Sequence, residues 1–217
     1  MLKISNLACE RDDRILFCNM DYAFPAGKII QLDGQNGAGK TTLLRIISGL
    51  YGSFTGDIFW NNAPINSVRI EFNQELLFIG HKSAIKLNLT PLENLTFLIG
   101  LCHSFSEKSL FDALEKVGLY GYENVLCRNL SAGQQRRVAL ARLYLSRASI
   151  WVLDEIFTAI DKQGVAQLEL FLAEKAKTGV TIILTTHHQL SLSDCLVLKI
   201  SDFQNQNELE DAEVTEI

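Results

Sequence analysis

Apolar and polar positions change rhythm along this chain of 217 residues, and each change marks an element. Over residues 2–24, short apolar stretches such as Leu2-Lys3-Ile4 and Tyr22-Ala23-Phe24 are broken by charged residues. That alternation predicts antiparallel strands, with Asp12-Asp13 as the turn between them. The apolar run at residues 29–32 leads through a glycine-rich segment into Leu43, Leu44, Ile46 and Ile47, and Gly49 stops the helix they imply. Residues 55–60 read as a further strand ended by Asn61-Asn62, and residues 76–79 as a short buried one. From 90 to 145 the spacing becomes helical, at Leu92, Leu95, Leu98 and Ile99, then Leu110, Leu114 and Val117, then Val138, Ala141 and Leu145. The run at 149–153 is short and apolar enough for a central parallel strand. A helix over 161–175, a strand over 180–185 and a last strand near 196–200 complete the pattern.

Strands alternating with helices after a glycine loop predict an α/β fold with a doubly wound, mainly parallel sheet, preceded by N-terminal antiparallel strands. One domain is expected over 1–217. Its α/β body takes up about 1–85 and 146–200, an inserted helical lobe about 86–145, and an acidic tail 201–217.

Composition narrows the function classes. The net charge of −5 is concentrated in the tail, which holds six acids and no base, and the rest of the chain carries 20 basic against 19 acidic residues. A near-neutral body is not a nucleic-acid footprint, so no nucleic-acid partner is expected. The tail reads as a solvated extension. No apolar segment approaches the ~20 residues of a membrane span, and residues 1–6 lack the apolar region of a signal peptide. Five scattered cysteines and four histidines show no metal-ligand spacing, which suits reduced thiols in a cytosolic protein. His81, His103 and His188 read as structural.

The candidate chemistry begins at residues 34–42, Gly34-Gln35-Asn36-Gly37-Ala38-Gly39-Lys40-Thr41-Thr42, between a strand and a helix. Glycines there let successive N–H groups turn inward as a cradle for phosphate oxygens, and the helix adds its positive N-terminal dipole. Lys40 can reach the outer phosphates of a nucleoside triphosphate, and the Thr41 hydroxyl is placed for Mg²⁺. Asp154-Glu155 ends the strand at 150–153, at the sheet edge where ligands of such folds bind. Asp154 is assigned to Mg²⁺, and Glu155 to the attacking water as its base. The strand ending at Thr185 brings His187 to the same edge, where it can donate to the γ-phosphate. Finally, Ser131-Ala132-Gly133-Gln134 opens a helix with Ser131 as N-cap and Gln134 at the capping-box position, which makes a second phosphate-binding helix N-terminus.

These motifs in this order, with residues 130–134, Asp154-Glu155, residues 158–161 and His187, resemble the nucleotide-binding subunits of ABC transporters over essentially the whole chain. A narrower resemblance, carried by Cys9, Arg11, Asp12, Arg14, Leu16 and Phe17, residues 34–45, residues 130–142 (LSAGQQRRVALAR) and residues 157–161, is to the cytochrome c maturation ATP-binding subunits. The resemblance implies an ATPase that forms a head-to-tail dimer, in which Ser131, Gly133 and Gln134 of one chain close over ATP held by Lys40 of the other. It implies that Asp161 links the two sites and that transmembrane permease subunits of the maturation complex are the partners, docking near residues 82–95. It also implies haem handling and a peripheral place on the cytoplasmic face of the bacterial inner membrane. Three positions depart from the family pattern: Lys82 stands where a glutamine is usual, Arg11 where an aromatic residue stacks on adenine, and Ile156 where proline follows the sheet edge. The alternatives are the ATP-binding subunit of another ABC exporter and a soluble ABC-type ATPase not coupled to transport. A P-loop kinase would leave residues 130–134 without a role.

Overall fold

Asp12 and Asp13 both have positive φ, 55° and 61°, as a two-residue hairpin turn requires. They join β1 (Leu2–Arg11) to β2 (Arg14–Phe24), whose ends pair Leu2 with Phe24 and Arg11 with Arg14. The computed structural model describes residues 1–100, 105–192 and 194–204. His103, Cys102 and five of the six tail acids lie outside them, and Asp202 alone falls within, on a 3₁₀ turn at Ile200–Phe203.

After β3 (Ile29–Asp33), the glycine loop and α1 (Lys40–Ile47), the chain adds β4 (Thr55–Trp60) and β5 (Ala63–Pro64) to the hairpin. The result is an antiparallel sheet in the order β2-β1-β4-β5. Asn61 and Asn62, at φ 50° and 66°, form its second tight turn. A short α2 (Arg69–Gln74), which apolar spacing did not announce, leads into β6 (Leu76–Ile79). The helical stretch follows as α3 (Pro91–Gly100), α4 (Glu107–Lys116) and α5 (Ala132–Leu145), and the body resumes with β7 (Ile150–Asp154), α6 (Lys162–Lys177), β8 (Thr181–Thr185) and β9 (Cys195–Lys199). The second sheet is parallel throughout, in the order β6-β7-β8-β3-β9. β7 and β8 are buried along their whole length, as central parallel strands are.

Three apolar clusters hold these layers together. The antiparallel sheet closes with α1 and one face of the parallel sheet over Phe17, Phe24, Ile30, Leu43, Leu44 and Phe72. The opposite face packs Trp151, Leu153, Ile182 and Leu184 against Leu140, Leu143, Leu168 and Leu172 of α5 and α6. The helical lobe has its own core of Leu95, Leu110, Leu114, Leu119, Cys127, Val138, Ala141 and Leu145. Helix α5 therefore contributes to two cores at once. Its buried residues surround it instead of lying in one stripe, as expected of a helix with neighbours on both sides.

Candidate active site

The glycine loop follows β3 and wraps the start of α1. Gly37 has φ +82° with nothing within 4 Å of where a Cβ would sit, so its backbone conformation alone calls for glycine and the space above it is open. Gly39 caps α1 at φ +100°, and a Cβ there would come within 3.1 Å of Leu16 Cβ. Lys40 folds back over this loop, where its Nζ donates to the carbonyls of Gly34 and, at 3.0 Å, Gln35. A cation resting on two main-chain carbonyls can be transferred to phosphate oxygens without having been buried.

Register sets the next contacts. Pairing of β7 with β8 puts Asp154 beside Thr185, and the Thr185 hydroxyl donates to Asp154 Oδ1 at 2.6 Å. The Thr41 hydroxyl reaches the same Oδ1 at 3.2 Å. Asp154 is 2 % exposed, and both hydroxyls meet on its Oδ1. A hydroxyl and a carboxylate are hard oxygen donors, and two of them suit Mg²⁺, which keeps most of its own water shell.

Glu155, one residue beyond the strand, sits at φ +54°, in the left-handed region that non-glycine residues seldom adopt. Its N–H donates to the Thr185 carbonyl at 3.2 Å and hydroxyl at 3.1 Å. Ile156 behind it is fully buried. That turn lifts the Glu155 side chain into the cleft, where His187 Nε2 lies 3.3 Å from its Oε1. The loop carrying His187 is moored by Glu169 of α6, whose buried carboxylate accepts from the Ser191 N–H at 3.0 Å and lies 3.5 Å from His188 Nε2.

Arg11, Gln35, Asn36, Gly37, Gly39, Lys40, Thr41, Thr42, Glu155 and His187 thus line one open cleft of about 700 Å³. Gly34 and Ala38 belong to the same loop, and Asp154 lies behind Thr41, whose hydroxyl it holds. Asp12, Arg14, Leu16, Thr158 and His81 also line the cleft. His81 is exposed there, although its sequence context read as structural. Ser131, Gly133, Gln134 and Asp161 are not on this wall. Ser131 and Gln134 form a complete capping box on α5: Ser131 Oγ accepts from the Gln134 N–H and Gln134 Oε1 from the Ser131 N–H. Asp161 caps α6 through the Gly164 N–H, pairs with Arg137 at 3.1 Å, and borders a separate cavity of about 210 Å³ between α4, α5 and α6.

Arg136 escaped the sequence reading. It is 5 % exposed, and its guanidinium donates to four carbonyls: Nη1 to Gly80 at 2.8 Å and His81 at 3.2 Å, Nη2 to Asp154 at 3.1 Å and Glu155 at 3.0 Å. Burial pulls its pKa down, with Asp154 and Glu155 pulling it back up. The available signal was its spacing: Arg136, Leu140 and Leu143 fall at i, i+4 and i+7 on the body-facing stripe of α5.

The family model for ABC transporters matches residues 17–158. Among curated relatives, the cytochrome c biogenesis ATP-binding export protein of Hahella chejuensis is 53 % identical over 193 residues, covering 89 % of this chain and 92 % of that one. Its namesake from Aliivibrio fischeri is 50 % identical over 200 residues, covering 92 % and 98 %. Among solved structures, an ABC transporter ATP-binding protein from Pyrococcus furiosus superimposes with a TM-score of 0.81 at 26 % identity, over 94 % of this chain and 99 % of that one. A dimeric ATP-binding cassette in a post-hydrolysis state with ADP and phosphate superimposes at 0.77 and 23 % identity, over 87 % and 88 %, and shares the fold.

Proposed function

Because this chain belongs to the ABC transporter family, and within it to the cytochrome c biogenesis ATP-binding export proteins, we propose that it hydrolyses ATP to drive the membrane complex of c-type cytochrome assembly, which handles haem. The observation that carries the reading is the meeting, in one cleft, of a glycine loop with its lysine, a buried hydroxyl-held carboxylate, and a second carboxylate facing a histidine.

ATP is the substrate, with its phosphates on the loop N–H groups of residues 34–42. Lys40 exchanges its loop carbonyls for the outer phosphates, and Arg11 offers a guanidinium plane to the base. Thr41 and Asp154 would hold Mg²⁺, which supplies charge neutralisation on the β- and γ-phosphates when bound. Glu155 orients a water and takes its proton as the water oxygen attacks the γ-phosphorus. The bond to the β-phosphate oxygen breaks, giving ADP and phosphate. His187, held by Glu155, donates to the developing charge.

The capped N-terminus of α5 stands away from this cleft, so a second copy, arranged head to tail, supplies it. Ser131, Gly133 and Gln134 of one chain close over the γ-phosphate bound by the other, and Asp161 lies between the two sites. Support comes from the dimeric state of the cassette of the same fold and from the exposure of Ser131. No helix of the described residues is long and apolar enough to cross a membrane. We assign the chain a peripheral position on the cytoplasmic face of the inner membrane, docked on permease subunits through the exposed segment at residues 86–88. The test is the oligomeric state of Glu155→Gln: with Mg–ATP it elutes as a dimer from a sizing column, and without nucleotide as a monomer. A wild-type chain that cleaves ATP at full rate as a strict monomer overturns the reading.

A further inference from the structure

A non-glycine residue at φ +54° relaxes unless its surroundings hold it. Glu155 is tied through its N–H to Thr185 on one side. On the other side, its carbonyl and that of Asp154 are both taken by Arg136 Nη2. The same guanidinium reaches through Nη1 to the carbonyls of Gly80 and His81, in the segment that leaves β6 and carries Lys82. Arg136 itself belongs to α5, the helix whose start is capped by Ser131. Three segments far apart in sequence, at 80–81, 131–136 and 154–155, therefore share one planar cation.

From this geometry we infer that Arg136 is the positioning residue for Glu155, locking the strained turn that presents the carboxylate and tying it to the lobe helix and the segment after β6. The inference rests on the ATPase reading of the cleft. A planar fork is needed because the four acceptors form two pairs, one for each terminal nitrogen. The arrangement is not one that stability alone would choose: the buried Nε has no acceptor, and a buried cation with a donor left over is poorly compensated. When the lobe shifts, α5 carries the guanidinium with it, and the Glu155 carbonyl must follow or lose its donor.

Two substitutions test this. Arg136→Met keeps much of the volume and removes every donor. Its kcat for ATP should fall ~10²-fold, the effect of misplacing a reacting group by about an ångström, while KM and the equilibrium ATP affinity stay within ~3-fold. Arg136→Lys, which can serve some of the four carbonyls, should recover to within ~10-fold of wild-type kcat but not fully. A purely structural role would instead lower affinity and turnover together, in step with thermal unfolding, with lysine no better than methionine. That result overturns the inference, as does a wild-type kcat in Arg136→Met. If Arg136→Met does not fold, Arg136→Lys decides alone, and a wild-type kcat there is fatal. The broader reading fails separately, through a wild-type chain without ATPase activity or a Lys40→Ala chain that binds ATP normally.

Discussion

Glu155 and Lys40 sit in the same cleft but fail differently when altered. Lys40→Ala removes the only lysine on the cleft wall among the described residues, so titration with a fluorescent ATP analogue should show binding lost. Glu155→Gln keeps the shape and the His187 contact but cannot take a proton. Binding should persist while turnover drops by roughly 10²–10⁴-fold, measured by phosphate release. Elsewhere, burial raises the thiol pKa of both Cys9 and Cys127. A raised pKa lowers the thiolate fraction at any given pH, so both should resist iodoacetamide at pH 8 in the native protein and react once it is unfolded in urea. At this scale the placement of the glycine loop, Asp154, Glu155 and His187 is legible because each is a residue type in a telling place, after a strand at the sheet edge. Arg136 was not legible as a hub, because its partners are carbonyls, and main-chain acceptors leave no trace in side-chain identity. His81 is illegible for a related reason: a lone histidine after a strand carries no signal until the cleft is built around it.

The elements show which sequence signals survive folding. The hairpin at Asp12-Asp13, the capping box at Ser131 and Gln134, and the stop at Gly49 all rest on local chemistry and appear where that chemistry placed them. Helix α2 was not announced, because six residues are too few to establish a period. The strand order β6-β7-β8-β3-β9 is equally silent in sequence, since the pairing of β3 with β8 and β9 joins residues 150 positions apart and more. The cap gives a prediction of its own. Ser131→Ala should cost about 1 kcal/mol, read as a lower urea midpoint. Ser131→Arg should block closure over ATP while leaving binding intact. Mixed with Lys40→Ala chains, it should regain activity, because a mixed dimer puts both lesions into one site and leaves the other whole. Equal loss in every mixture would show that the sites are not shared.

For the whole molecule, relatives about 50 % identical over nine-tenths of the chain are cytochrome c biogenesis ATP-binding export proteins, and the proposed role is tested in cells. A strain lacking this chain should lose haem-staining c-type cytochromes. Wild type should restore them and Glu155→Gln should not. Retention of those cytochromes in the deletion strain would detach the chain from that process. The fold also bears on how this molecule melts. Because α5 lends Leu140 and Leu143 to the body's core and Val138, Ala141 and Leu145 to the lobe's, neither can come apart while the other keeps its packing. Calorimetry of the isolated protein should therefore record a single endotherm whose van't Hoff and measured enthalpies agree, with no separate low-temperature shoulder from the lobe.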